Sequence, residues 1–474
     1  MFEFIIWLEI HIKLATAHKI FCHCENTQDF ENTTPNTHIC PACTGQPGGL
    51  PIINPECIDS AIKLGTLFGS TLDQGFTRDR KSYFYPDSPA GFQITQFHNP
   101  IIRWGVVNFF TDHFQTQQSI HIHEAHLEND TAKTITINGT TFIDFNRSGG
   151  PLIEIVTQPE FTNEDQVIEF LKELQRMVRW NDIGFADLEK GQMRVDVNLS
   201  IRKVWETTLG TRVEVKNINS FSSIRKAIQY EFQRHQEVIN NGSKVDQETR
   251  GRDDMAGKTY ILRSKENAHD YRYFQEQDLP QINPDQFNWS PKWEMRTGFG
   301  KIKQFVEYGF QKEYIHGLLN NELLFSWFES AIEAGFDPKT SAKRLLGAIA
   351  GKFNEGGESA ILINKDQFIE FLEKISKNTI NENICKKIME ELLEGGVNMD
   401  DLISKYASVK IDESQMGTMI EQIITENQKA FEDYQWGKLT TLAFFVGQLM
   451  KVTKGSLNPL EAKEIMEKEL NKRI

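Results

Sequence analysis

Near the start of the chain the alternate positions Phe4, Ile6, Leu8, Ile10, Ile12 and Leu14 are all apolar. Successive side chains of a strand point to opposite faces, so this run predicts a long strand with one face buried. Its odd-numbered face then carries Glu9 and His11 side by side. Two ligand-type side chains share a face.

The same period recurs further along. Glu124, His126, Glu128 and Asp130 fall on one parity, and in Pro151 to Val156 the lone acid Glu154 stands between Leu152 and Val156. Arg194, Asp196, Asn198 and Ser200 alternate with Val195, Val197, Leu199 and Ile201, and Arg212, Glu214 and Lys216 alternate with Val213 and Val215. Solvated faces of antiparallel strands would read the same way. Glu154 fits that plainer reading worst, because its neighbours are apolar and an unpaired buried carboxylate is costly. If the polar faces converge, Glu9, His11, Glu128, Glu154 and Glu214 form a cluster whose repulsion a divalent cation relieves. Mg²⁺ suits the oxygens and is usually recruited with phosphate. His11 suits Mn²⁺ or Zn²⁺ better. Asp196 is a further ligand or orients one.

Cys22-x-Cys24 is followed, after fifteen intervening residues, by Cys40-x-x-Cys43. Four thiolates in two tight pairs predict a closed, structural Zn²⁺ site, with His23 and His38 as neighbouring alternative ligands. Four reduced thiols without metal are the alternative. Cys57 and Cys385 stand alone and read as ordinary core or surface residues. In the stretch Arg78 to Asp87, basic residues interleave with aromatics, which suits phosphate contact through Lys81 and stacking of a base on a ring such as Tyr83. A charged loop leading into an aromatic edge strand would look alike.

At roughly 150 residues per domain, 474 residues allow about three. Before residue 290, short strand patterns alternate with Gly, Pro and Asn turns, interrupted by helical patterns at Glu164 to Trp180 and about Ser222 to Asn240. After it the pattern is almost wholly helical, with breaks at Gly335 to Pro338, Gly356-Gly357 and Gly395-Gly396. The fold class expected is α+β, with helical domains following a mixed body. A net charge of −14 argues against a general nucleic-acid coat and leaves room for a local basic groove. The apolar run Phe4 to Leu8 is too short for a signal or a membrane span, so a cytoplasmic chain with no membrane contact is expected.

Leu8-Glu9-Ile10-His11, Lys19-Ile20-Phe21-Cys22, Asp79 to Asp87, Asn146 to Val156 and Lys216 to Phe221 occur in an order that resembles the B-subunit family of the tRNA-dependent amidotransferases. Gln247 to Arg250, Asp270 to Phe274 and the segment Phe445 to Gly455 continue the likeness. The resemblance implies an enzyme that converts glutamate mischarged on tRNA(Gln), or aspartate mischarged on tRNA(Asn), into the amide. It implies ATP-dependent phosphorylation of the side-chain carboxylate with Mg²⁺, and ammonia delivered from a separate glutaminase subunit that a third, small subunit braces. It implies a cradle-like domain with an antiparallel sheet over 1–292, containing the zinc knuckle 22–43, a helical domain over 293–397, and a helical tRNA-binding tail over 398–474.

On that resemblance the metal ligands are Glu9, His11, Glu128, Glu154 and Glu214. Lys81, Arg147 and Arg194 contact phosphate or carboxylate, and Tyr83 and Asp196 also border the nucleotide. Lys438, Lys451 and Lys454 contact tRNA. The chain has no Ser-Ser-Lys glutaminase set, since its Ser222-Ser223 pair lies at a helix start, so ammonia must come from a partner. Trp7 stands where the family has Gly, and is expected to narrow the pocket or shift the strand. Asn129 replaces an acid, Thr131-Ala132 replace Ala-Gly, and Gln275 and Gln277 replace prolines, which should loosen that segment. A non-catalytic tRNA-binding scaffold is the alternative. A carboxylate-activating enzyme for a small substrate leaves the helical third unexplained.

Overall fold

The structure is a computed structural model. It describes residues 2–29, 32–70, 72, 75–264, 270–283, 296–377, 382–407, 413–438, 440–453 and 459–473. The chain divides into two compact units, Met1–Lys303 and Gln304–Ile474. The fold is α+β, as the change of pattern predicts.

The first unit contains β1 (Phe2–Lys13), α1 (Pro55–Leu67), β2 (Asp79–Ser82), β3 (Phe92–Thr95), β4 (Ile102–Thr111), β5 (Thr116–Asn129), β6 (Lys133–Ile137), β7 (Thr140–Asp144) and β8 (Pro151–Thr157). It continues with α2 (Glu164–Trp180), β9 (Met193–Lys203), β10 (Val213–Lys216), α3 (Phe221–Asn240), β11 (Glu248–Asp253), β12 (Lys258–Ser264) and β13 (Phe274–Gln275). Eight strands form one sheet in the order β12-β11-β10-β9-β1-β8-β5-β4, and β13-β2-β3 form a smaller one. The large sheet is antiparallel except that β10 and β11 run parallel, because helix α3 carries the chain back between them.

The even face of β1 is the core face. Ile6, Leu8, Ile10, Ile12 and Leu14 are fully buried, and they join Phe170, Leu171 and Leu174 of α2, Ile224 and Ile228 of α3, and Ile58, Ala61 and Ile62 of α1. Each such burial contributes roughly 1.5–3 kcal/mol. Helix α2 has the predicted bounds; it starts where Asn163 Oδ1 accepts the Gln166 N–H at 2.9 Å. Helix α3 starts one residue earlier than the pattern suggests, capped by Ser220 Oγ on the Ser223 N–H at 3.1 Å. With the helices on one face, the other face of the sheet is left to polar side chains.

Strand β1 runs unbroken past Trp7, which pairs with Asn198 of β9. The half-buried ring is not among the residues that line the cavity described below. The second unit is helical, with no strand among its described residues. Its helices stop at the predicted breaks, where Gly335, Gly357, Gly395 and Gly396 all have positive φ. Met416, Ile420, Ile423, Phe445, Leu449, Met466 and Leu470 pack in an apolar cluster of their own. The expected boundary at 292/293 lies outside the described residues. No helix among the described residues is long and apolar enough to cross a membrane.

Candidate active site

The five acid-bearing strands are adjacent, in the order β10-β9-β1-β8-β5. Residues directly opposite across a strand pair present their side chains on the same face. One row runs His126, Glu154, His11, Arg194, and the next runs Glu124, Val156, Glu9, Asp196. Glu214 pairs with Asn198. These rows floor a cavity of about 870 Å³ that Lys81, Tyr83, Phe97, Tyr271 and Tyr273 also line.

The acids lie in two adjoining groups. In the first, ligand atoms of His11, Glu128 and Glu154 lie within 4.8 Å of one another; in the second, those of Glu9, Asp196 and Glu214 do. His11 Nε2 is 3.2 Å from Glu154 Oε2 and 3.6 Å from Glu128 Oε1. His126 Nε2 is 3.1 Å from the same Glu154 oxygen. Burial alone would raise the Glu154 carboxyl, but His11 and His126 outweigh it and hold the group well below the usual range. Glu128 is likewise lowered against its burial, by His11 and Lys81. Both imidazoles are raised despite burial, by these same acids.

In the second group, Lys216 Nζ lies 2.6 Å from Asp196 Oδ2 and 3.1 Å from Glu214 Oε1. Thr249 Oγ1 donates to Glu214 Oε2 at 2.9 Å. Glu9, between the groups, is pushed up to about 7 by burial and by the charge of Glu154.

Lys81 extends from β2 into the cavity. Burial would lower it, yet Glu128 and Glu154 keep it above the ordinary lysine range. Arg194 also lines the cavity and donates to Asp130 Oδ2 at 2.8 Å. Arg147 is turned elsewhere. Its Nε and Nη2 donate to the carbonyls of Thr131 and Ala132 at 2.9 and 2.6 Å, and it approaches Asp130 at 3.6 Å without lining the cavity. Asn129 pins β3 to β5, its Oδ1 accepting the Ile94 N–H at 2.6 Å. Sequence reasoning missed His126 and Lys216. Each sits in an alternation that was legible, but His126 meets Glu154 on β8 and Lys216 meets Asp196 on β9 as well as Glu214 on its own strand.

The donor set fits a hard divalent cation. Oxygens of Glu128 and Glu154 converge beside His11, and Glu128 Oε2 is buried without a hydrogen-bond partner. The four sulfurs of Cys22, Cys24, Cys40 and Cys43 lie within 4.8 Å of one another, which fits a tetrahedral metal. A hydrogen bond from Cys22, opposed by burial, brings the Cys43 thiol down to about 5. Fully buried Lys19 places Nζ 3.6 Å from Cys43 Sγ. His23 is exposed and His38 pairs with Glu25 at 3.1 Å, so neither joins the sulfurs. Cys57 and Cys385 are buried singly. In the tail, Lys438 is exposed and 3.2 Å from Asp433, and Lys451 is exposed on helix Thr440–Val452. Lys454 lies outside the described residues.

A histidine-carboxylate floor under a cavity with cationic and aromatic walls is suited to an enzyme that handles anionic substrates through a divalent cation. Residues 4–289 match the family model "GatB/GatE catalytic domain" and residues 326–470 match "GatB domain". The chain belongs to this family, the B subunits of the tRNA-dependent amidotransferases. It is 36% identical, over 99% of both chains, to the B subunit of the aspartyl/glutamyl-tRNA(Asn/Gln) amidotransferase of Thermodesulfovibrio yellowstonii. The B subunits from a Picosynechococcus species and from Caldicellulosiruptor saccharolyticus are 35% and 37% identical, again over 99% of this chain and 98% or 99% of theirs.

Proposed function

We propose that this chain activates the side-chain carboxylate of glutamate on tRNA(Gln), or aspartate on tRNA(Asn), by phosphorylation with ATP, and that ammonia then displaces the phosphate. The carboxylate oxygen attacks the γ-phosphorus as ADP leaves; ammonia attacks the carbonyl carbon and phosphate departs, leaving the amide. The observation that carries this reading is the pairing of His11, Glu128 and Glu154 with Glu9, Asp196 and Glu214 on five adjacent strands.

The first group, with Glu9 and Glu214 beside it, would hold Mg²⁺, which when bound neutralises charge on the transferring phosphoryl group and holds its oxygens in line. Lys81 and Arg194 hold the phosphates or the reacting carboxylate from above the floor. His11 and His126 fix the Glu154 carboxylate in its ionised form, and Lys216 orients Asp196 and Glu214 by pairing with both. Tyr83 borders the nucleotide. Arg147, bonded to the 131–132 backbone, steadies Asp130 and does not touch substrate. The cysteine knuckle 22–43 would hold Zn²⁺ as a structural ion.

Ammonia would come from a separate glutaminase subunit, with a third, small subunit completing a cytoplasmic heterotrimer. The tail from residue 398, with Lys438, Lys451 and Lys454, would take the tRNA, a role that a long helical surface suits. The scaffold alternative has no need of Glu9, Glu128 and Glu154, all of which are present. The test is conversion of Glu-tRNA(Gln) to Gln-tRNA(Gln) by this chain assembled with the glutaminase and the small subunit, supplied with ATP, Mg²⁺ and glutamine. Amide formation that requires all three supports the reading; amide formation without ATP contradicts it.

A further inference from the structure

One wall of the cavity is aromatic, and apart from Tyr83 its rings have no part in the reaction proposed above. Phe97 and Tyr273 stack nearly parallel, with centroids 4.1 Å apart and an angle of 7° between planes. Both line the cavity, as do Tyr83 and Tyr271. Phe97 remains 55% exposed although Tyr273 covers one face of its ring. The uncovered part of its ring is open to the cavity that it lines.

The exposure is held in place. Asp79, almost fully buried, accepts the backbone N–H groups of Phe97 and His98 on Oδ2 at 2.8 and 2.9 Å. On the other side the chain enters Tyr273 through Arg272, a non-glycine residue at φ 46°, a conformation that persists only when its surroundings enforce it. Next to the stack, Tyr271 lies under Lys81, with Nζ 5.1 Å from the ring centroid. The wall therefore sets a two-ring stack beside a cation that faces the acid floor.

We propose that the Phe97–Tyr273 stack is an adenine platform, on which the base becomes a third stacked ring while its phosphates or ribose reach Lys81 and the floor. This rests on the ATP and tRNA reading above and adds the base-binding subsite to it. Flat aromatic faces take purines by stacking, and cationic side chains next to them take the attached phosphate. Two substrates of the proposed reaction carry adenine: ATP and the terminal adenosine of the tRNA.

The test is equilibrium binding to the full chain, in Mg²⁺, of three probes: ATP, inorganic tripolyphosphate, and tRNA with or without its terminal adenosine. Phe97→Ala and Tyr273→Ala are compared with wild type and with Phe97→Trp. Stacking on one ring predicts a loss of about tenfold or more in each alanine variant, restored by Phe97→Trp, with tripolyphosphate binding retained as evidence of an intact site. A loss for ATP assigns the platform to the nucleotide; a loss confined to adenosine-ended tRNA assigns it to the tRNA terminus. Equal affinities in all variants for both adenine ligands, with tripolyphosphate still bound in a Glu154-dependent way, overturn the platform and leave the phosphate site standing. If Glu154→Gln changes no binding at all, the phosphate site itself fails and the platform with it.

Discussion

His126 Nε2 lies 3.1 Å from Glu154 Oε2, the oxygen that His11 Nε2 also approaches, at 3.2 Å. One carboxylate in an apolar strand is thus held between two imidazoles from the strands on either side. This arrangement keeps Glu154 ionised in spite of its burial.

His126 should therefore act through Glu154. His126→Ala is expected to weaken Mg²⁺ binding by about 10- to 100-fold, the usual size of an effect on an orienting partner. His126→Gln should recover part of it. Isothermal titration of Mg²⁺ into the full chain reads both, and an unchanged affinity in His126→Ala would remove the histidine from the site.

Glu9 gives a pH signature. An unfolded glutamate titrates near 4.5, whereas Glu9 in the fold titrates at about 7. Between those values the folded chain binds the proton more tightly, so the stability that protonated Glu9 brings is complete below about 4.5 and is lost as pH rises through 7. In chelator, Tm should drop over this window more for wild type than for Glu9→Gln. Mg²⁺ should close the gap above pH 7. Parallel Tm profiles for the two proteins would show that the fold does not raise Glu9.

The second anchor is Asp130, whose carboxylate holds Arg194 at 2.8 Å and whose backbone is bonded to Gly149 and Gly150 at 3.0 and 2.8 Å. Asp130→Asn is expected to raise KM for ATP more than it lowers kcat, because the arginine loses its aim while the acid floor stays. Steady-state kinetics with varied ATP separate the two. A pure kcat effect would place Asp130 in the chemistry instead.

For the cysteine knuckle, elemental analysis should find about one zinc per chain. Cys43→Ser should lose it and lower Tm, since Cys43 also accepts from Lys19 through sulfur and from Ser148 Oγ through its carbonyl, at 2.7 Å. Ser148 leads into the Gly149-Gly150 turn that holds Asp130, so loss of the metal should also weaken Mg²⁺ binding. Full Tm in Cys43→Ser would show that the sulfurs are plain thiols.

How much of this was readable beforehand follows from range. The alternation in β1 encodes burial of each residue against its own strand's two faces, so the odd face of Glu9 and His11 was legible, as was α2, whose cap and apolar spacing are local. The order of strands was not. β1 lies between β8 and β9, more than 130 residues away, and nothing in a local pattern states that pairing. His126 was missed for this reason, its partner Glu154 lying on β8, and so was the pairing of Lys216 with Asp196 on β9. Arg147 shows the converse: a cation in a matching motif, two of whose N–H groups go to the nearby 131–132 carbonyls and which does not line the cavity. The parallel β10–β11 pair was likewise hidden, because alternation is the same in either direction.

We propose that the floor around Glu154 activates a carboxylate with ATP. The most direct measurement is ATP hydrolysis by the chain assembled with its glutaminase and small subunits, with and without mischarged tRNA and Mg²⁺, beside Glu154→Gln. The expected hydrolysis needs both mischarged tRNA and Mg²⁺ and falls by about 100-fold or more in the variant, as removal of a group that stabilises transition-state charge does. An assembled, tRNA-binding complex whose hydrolysis ignores mischarged tRNA, or survives Glu154→Gln, would contradict it.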